Sequence, residues 1–278
     1  MSTNTSTTSD TTTSTSTTST TETSTTSTID ATAPTAVRVS KVDFFYRKVQ
    51  ALYDVTLTLP RGCRCLLLGD NGAGKTTLLK LLGGKTSTLY GNINVLDEPA
   101  DFSPKLNLRR AYLGGDWGKR IVPFAGVTAL TADIAVHEMM TKLQQQFPER
   151  RKMLYELLQI DGNWRMHQVS DGQRRRVQIM LNLLRPVDIL FADEITTDLD
   201  VVTRRDLLNY LRRETEERGM SMVYTTHIFD GLDGWATHIA YLAAGRLVEF
   251  GPVEKWPELV RLLILCLACL SSSMYVEL

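Results

Sequence analysis

Two short stretches hold residue types at spacings suited to chemistry on a phosphate. The first is "GDNGAGKTT", residues 69–77. Gly69, Gly72 and Gly74 let the backbone turn its N–H groups inward around phosphate oxygens, with Asp70, Asn71 and Ala73 completing the loop. Lys75 would reach the β- and γ-phosphates of a nucleoside triphosphate, and the hydroxyl of Thr76, followed by Thr77, would ligate Mg2+. Such a pattern arises by chance in roughly one chain per hundred of this length. The apolar strand before it and the helix after it weaken the alternative of an ordinary glycine-rich turn. The second stretch is "DILFADE", residues 188–194. Its apolar residues carry a strand through the core, and Asp193 emerges at the tip, where it can hold Mg2+ through water. Glu194 follows, placed to polarise an attacking water. Adjacent acids at a strand end otherwise suggest a solvated turn, and the upstream cradle favours the functional reading.

Such residues need strands to present them. "VRVSKVDFFY" (37–46) and "ALYDVTLTLP" (51–60) alternate apolar and polar residues as half-buried strands do. "CRCLLLG" (63–69) is a continuous apolar strand that feeds the glycine loop, and "TTLLKLLGG" after it reads as a short helix. Short strands are expected at 91–96 and 109–113. Helical spacing runs from about 127 to 160, closed by a turn at Asp161-Gly162-Asn163. A strand at 187–193, the helix "DVVTRRDLLNYLRRETEERG" and the strand "MSMVYTTH" complete the series. Strands alternating with helices predict a mainly parallel sheet, interrupted by a helical insertion.

Composition narrows the setting. The chain has 278 residues, 31 basic and 31 acidic side chains, and 43% hydrophobic residues, enough for a sizeable core. A formal charge of zero gives no general attraction to nucleic acid or anionic membranes, so no direct nucleic-acid partner is expected. The four cysteines, Cys63, Cys65, Cys266 and Cys269, make no disulfide framework and point to a reducing compartment. Cys266 and Cys269 form a C-x-x-C without a second ligand pair, so packing outweighs metal binding there. The most apolar run, "LLILCLACL" (262–270), falls short of the ~20 residues a membrane helix needs. Residues 1–28 are almost entirely Ser and Thr, without the basic start and apolar stretch of a secretory signal.

Motif order and spacing resemble an ATP-binding-cassette (ABC) ATPase domain. "VSDGQ" (169–173) is similar to that family's signature motif, which begins a helix and faces the γ-phosphate held by the opposite protomer. The resemblance implies that Ser170, Asp171, Gly172 and Gln173 act in trans on a neighbour's ATP, with the helix N-terminus favouring the anion. It implies a D-loop over Thr196–Asp200, with Asp198 and Asp200 at the dimer contact, and a switch histidine at His227, after "VYTT". Tyr46 would stack on adenine, with strand packing, Phe44 and Phe45 as competing readings. The implied fold is α/β: a P-loop NTPase ABC ATPase domain with a parallel-sheet core, an antiparallel β subdomain and an inserted helical subdomain. The expected organisation is a disordered Ser/Thr-rich tail over 1–35, the ATPase domain over 36–255 with its helical part at about 120–185, and an apolar C-terminal helix or tail over 256–278.

Three departures from the family pattern stand out. The strand near residue 115 ends in "AYLGGDWGKR" without the family's Gln, leaving Asp116 or a water in that role. Asp171 stands where the family has Gly, and is expected to point away from phosphate. Ile195 replaces the usual Pro, and Asp198 a small residue. "YLGGDW", "WRMHQVSDGQRRRVQ" and "DEITTDLD" resemble a group within ABC subfamily I, soluble eukaryotic ATPases without membrane spans. That group includes a factor associated with the carbon-catabolite-repressor–NOT transcription and deadenylation complex. The resemblance implies Mg-ATP hydrolysis by a head-to-tail homodimer with protein-complex partners, in the cytoplasm or nucleus. The alternatives are a transporter's nucleotide-binding subunit, with a separate membrane partner, and an ATP-gated scaffold with little hydrolysis.

Overall fold

The computed structural model describes residues 34–101, 103–115 and 133–256. The Ser/Thr-rich stretch, Asp116, the start of the expected helical insertion, Cys266, Cys269 and the apolar run near the C-terminus lie outside the described residues.

The alternating stretches form β1 (Thr35–Tyr46) and β2 (Val49–Pro60), paired antiparallel around a turn at Arg47. The continuous apolar run becomes β3 (Arg64–Leu68), buried throughout, and leads through the glycine loop into α1 (Lys75–Leu82). β4 (Tyr90–Val95) and β5 (Glu98–Pro99) return to the first sheet, whose order is β2-β1-β4-β5. α2 (Pro104–Arg109) follows, capped by Ser103, whose Oγ accepts from the Leu106 N–H at 3.2 Å. Next come β6 (Arg110–Leu113), α3 (Thr141–Gln146), α4 (Pro148–Leu157) and α5 (Asp171–Leu183). The remaining elements are β7 (Ile189–Asp193), α6 (Val201–Arg218), β8 (Ser221–Thr225), β9 (His238–Ala243) and β10 (Arg246–Pro252).

The second sheet has the order β10-β9-β3-β8-β7-β6 and is parallel except for the β9–β10 hairpin. Its central strands read as unbroken apolar runs because both faces are covered. Within β3 the alternation sorts side chains between two cores. Cys65 and Leu67 pack with Leu78 and Leu79 of α1 and with Val37 and Leu57 of the antiparallel sheet. Leu66 and Leu68 face the other way, onto the cluster that holds Leu154 of α4, Val177 of α5 and Leu207 of α6. Because β3, β7 and β8 are parallel, the loops after them open at one edge, where ligands of such sheets bind.

The helical insertion departs from its expected periodicity. Residues 136–138 form only a 3-10 turn, and Ala135 pairs with Arg165 in an isolated bridge. The Glu138 carboxylate accepts from the Ala135 N–H at 2.7 Å, and Met140, at φ 50°, resets the chain before α3. Pro148 forces Phe147 out of the helical region and so separates α3 from α4. The insertion is fastened to the core by Arg150 of α4. It grips Glu214 of α6 through two hydrogen bonds of 3.0 and 2.9 Å and donates to the Leu183 carbonyl at 2.7 Å. Glu214 also takes Arg218.

Candidate functional site

Gly69 and Gly74 make the loop between β3 and α1 possible. Gly69 has φ +146°, and a Cβ there would meet the Leu242 carbonyl oxygen at 2.0 Å. Gly74 has φ +102°, and a Cβ would meet Leu52 Cδ2 at 2.8 Å. Pinned this closely, Asp70, Asn71, Gly72 and Ala73 curl over the N-terminus of α1, where no side chain caps the helix and no acid occupies the first turn. Those open N–H groups favour an anion. Lys75 Nζ folds back and donates to the carbonyls of Gly69, at 2.7 Å, and Asp70, at 2.9 Å. Thr76 is exposed beside it, and Thr77 is buried.

Asp193, 6% exposed, ends β7 and accepts from Thr225 Oγ1 of β8 at 2.7 Å. Glu194 lies just past the strand at φ +53°. Its Oε1 lies 3.0 Å from His227 Nδ1, and its Oε2 is shut off from solvent with no hydrogen-bond partner among the described residues. Burial raises the Glu194 carboxyl above its ordinary range, opposed by His227 and reinforced by Asp193. Lys75 acts on the same carboxylate, so cradle and acidic pair share one site. No group of three or more His, Cys, Asp or Glu among the described residues could hold a metal alone.

Tyr46, 49% exposed, sits at the rim. It accepts a hydrogen bond from Thr77 Oγ1 at 3.3 Å, and its ring meets Phe44 edge-on at 4.9 Å. Phe44 is buried, and Phe45 pairs instead with Tyr90. Of the three aromatics, Tyr46 has a hydrogen bond to the first turn of α1.

The second expected half of the site is elsewhere on the surface. Ser170 caps α5 reciprocally with Gln173: Gln173 N–H donates to Ser170 Oγ at 3.2 Å, and Ser170 N–H to Gln173 Oε1 at 2.9 Å. Asp171 is exposed and pairs with Arg174 at 2.5 Å. Gly172 lies close under the 196–200 loop, where a Cβ would stand 2.9 Å from the Asp198 carbonyl oxygen. Asp200 caps α6 through Thr203 and meets Arg176 at 2.6 Å, while Asp198 meets Arg175 at 3.5 Å. The carboxylates of this loop are thus matched by arginines of the same chain, a pairing the sequence reading lacks.

Sequence reasoning also missed Thr225, and Gln178, whose Nε2 donates to the Gly114 carbonyl at 2.8 Å. The β9–β10 hairpin is absent from the expected strands, although its Ala244-Gly245 turn between alternating runs is a usable signal. The Gly245 N–H donates to Ala73 O at 3.0 Å and so buttresses the phosphate loop.

The family model described as "ABC transporter" matches residues 52–197. ABC transporter I family member 20 of Arabidopsis thaliana is 49% identical over 208 residues, a match spanning 74% of this chain and 63% of the relative. Member 21 of the same family and organism is 48% identical over 81% of this chain and 80% of the relative. CCR4-associated factor 16 of Saccharomyces cerevisiae is 37% identical over 77% of this chain and 78% of its own. Among solved structures, a dimeric post-hydrolysis state of the ATP-binding cassette MJ0796 bound to ADP and Pi superposes with a TM-score of 0.65. It shares 20% identity and covers 78% of this chain and 98% of that one, a likeness of fold alone.

Proposed function

The chain belongs to the ABC transporter family of ATP-binding cassettes, and on that premise we propose that it is an ATPase whose composite sites close when two copies meet head to tail. One observation carries the chemistry: Lys75, Asp193 and a Glu194 with a buried, unpartnered oxygen converge on an uncapped helix N-terminus. Lys75 and the loop N–H groups grip the β- and γ-phosphates, and Tyr46 receives the adenine. Thr76 and Asp193 would hold Mg2+, which when bound would neutralise charge on the phosphate oxygens. Glu194 orients a water and takes its proton as the water oxygen bonds to the γ-phosphorus and the bond to the bridging β-oxygen breaks. His227 steadies the Glu194 carboxylate. Ser170, exposed at the N-terminus of α5, and Gly172 beside it serve the partner's nucleotide.

The likeness to CCR4-associated factor 16 supports a further step: the chain works as a subunit of a CCR4-containing assembly, in the cytoplasm or nucleus. No helix among the described residues is long and apolar enough to cross a membrane. Affinity purification with identification of the captured proteins tests that role, and a membrane-spanning partner recovered in place of CCR4 counts against it.

The ATPase reading is tested with Glu194→Gln. Phosphate release should fall about 10²–10³-fold, the usual cost of one such group, while ATP binding persists and light scattering detects an accumulated dimer. A wild-type chain that releases no phosphate from Mg-ATP sinks it; a variant that keeps wild-type turnover removes Glu194 from the chemistry, and one that stays monomeric at saturating ATP removes the head-to-tail pair.

A further inference from the structure

Three consecutive arginines follow the signature motif, and their partners differ. Arg174 and Arg176 meet carboxylates at 2.5 and 2.6 Å. Arg174 donates besides to the Val169 carbonyl at 3.3 Å, and Arg176 to Leu158 O and Gln159 Oε1 at 3.5 Å, none of them in the proposed ATP site. Arg175 turns inward, 11% exposed, and its guanidinium reaches three separate segments. Nε faces Asp198 Oδ2 at 3.5 Å. Nη2 donates to the Glu194 carbonyl at 3.5 Å, and Nη1 to the Gly114 carbonyl at 3.2 Å and Gln178 Oε1 at 2.7 Å. Gln178, one turn further along α5 and 3% exposed, donates to the same Gly114 oxygen at 2.8 Å. The planar guanidinium keeps its charge when buried and presents its donors in a fixed fork, which a lysine cannot copy.

We propose that Arg175 is a positioning residue that ties Glu194, the Asp198 loop and the end of β6 to the helix carrying Ser170. Glu194 needs such a hold. Its φ of +53° is unfavourable for a residue with a Cβ, so the peptides on either side must be fixed from outside. The Glu194 N–H donates to Thr225 O at 3.1 Å, and its carbonyl accepts from Thr197 Oγ1 at 3.2 Å and from Arg175. The contacts from Arg175 to Glu194 and Asp198 are long, so they hold by charge and direction more than by tight bonding. Through them the helix that serves the partner's nucleotide is coupled to the carboxylate that serves its own. The end of β6 is also where the family's Gln is missing; here Arg175 and Gln178 secure that strand end through backbone. The inference rests on the proposed ATPase activity.

The test uses the full-length chain, with Mg-ATP as substrate and a fluorescent ATP analogue for binding. Arg175→Met should lower kcat about 10²-fold and leave nucleotide Kd within about threefold, the mark of lost positioning rather than lost binding. Arg175→Lys should not restore kcat. Asp198→Asn should lower kcat less, and the Arg175→Met/Asp198→Asn double variant should be no worse than Arg175→Met, because one linkage has been cut twice. Wild-type kcat in Arg175→Met, full rescue by Lys, or multiplicative losses in the double variant would each overturn the proposal. If Arg175→Met does not fold, Arg175→Lys and Asp198→Asn decide, since both keep the side-chain volume. Glu194→Gln measured alongside separates the two readings. If it abolishes phosphate release while Arg175→Met does not, this inference alone fails; if the wild-type protein itself releases no phosphate from Mg-ATP, the ATPase reading fails and takes this one with it.

Discussion

At the scale of single residues, the site depends on who holds the holder. Asp193 is buried and its Oδ1 is fixed by Thr225, so in the proposed site the oxygen it would offer to Mg2+ has a set direction. Removing a group that orients a metal ligand typically costs 10–100-fold in metal affinity. Thr225→Val is isosteric and should therefore raise the Mg2+ concentration for half-maximal phosphate release at least about 10-fold, with kcat at saturating Mg2+ much less affected. A Mg2+ titration of the two proteins checks this, and an unchanged midpoint would remove Thr225 from the site. That Lys75, Asp193 and Glu194 come together was legible in the sequence, because local spacing sets each beside a strand end. Thr225, Arg175 and Gln178 were not, because their partners come from strands and loops distant in the chain. Nothing in "QRRRVQ" says which of three arginines turns inward; the rotation of α5 against β6 and β7 decides that.

At the scale of elements, the helical insertion is joined to the core by an ion pair largely out of water. The side chains of Arg150 and Glu214 are 13% and 9% exposed. Burial by itself would raise the Glu214 carboxyl, yet Arg150 and Arg218 outweigh it and hold it below its ordinary value. A carboxylate depressed in the folded state contributes stability that is complete above its unfolded value, 4.5, and is lost as pH falls through the folded value. Glu214→Gln should thus lower stability at neutral pH by about 3–5 kcal/mol, because it leaves Arg150 buried without its counter-charge. It should also flatten the decline of stability below pH 4.5. Urea unfolding across that range checks both, and parallel wild-type and variant curves would contradict the assignment. Strands β1, β2, β3, β7 and β8 were readable from alternation and apolar runs, whereas β9, which brings Ala240 and Leu242 into the core, was not. The helical insertion was readable in outline, since α3 and α4 lie within the expected helical stretch, but not near residues 136–140, where a 3-10 turn and Met140 at positive φ interrupt it.

At the scale of the whole molecule, the proposed site belongs to two chains, which gives mixing experiments an unusual outcome. Lys75→Ala destroys the cradle, and Ser170→Arg fills the surface meant for the partner's phosphate. Each protein alone should release little phosphate. A head-to-tail pair made of one of each concentrates both lesions in one site and leaves the other intact, so mixing the two inactive proteins should restore activity. No recovery, with mixed pairs shown to form, would mean that each chain works alone. The order β10-β9-β3-β8-β7-β6 has a different consequence, for biosynthesis. β8 separates the strand that leads into Lys75 from the strand that ends at Asp193, and it is translated after both. A nascent polypeptide stalled before residue 221 carries the lysine and the aspartate without the spacer that sets them apart, so nucleotide cannot rescue it from proteolysis.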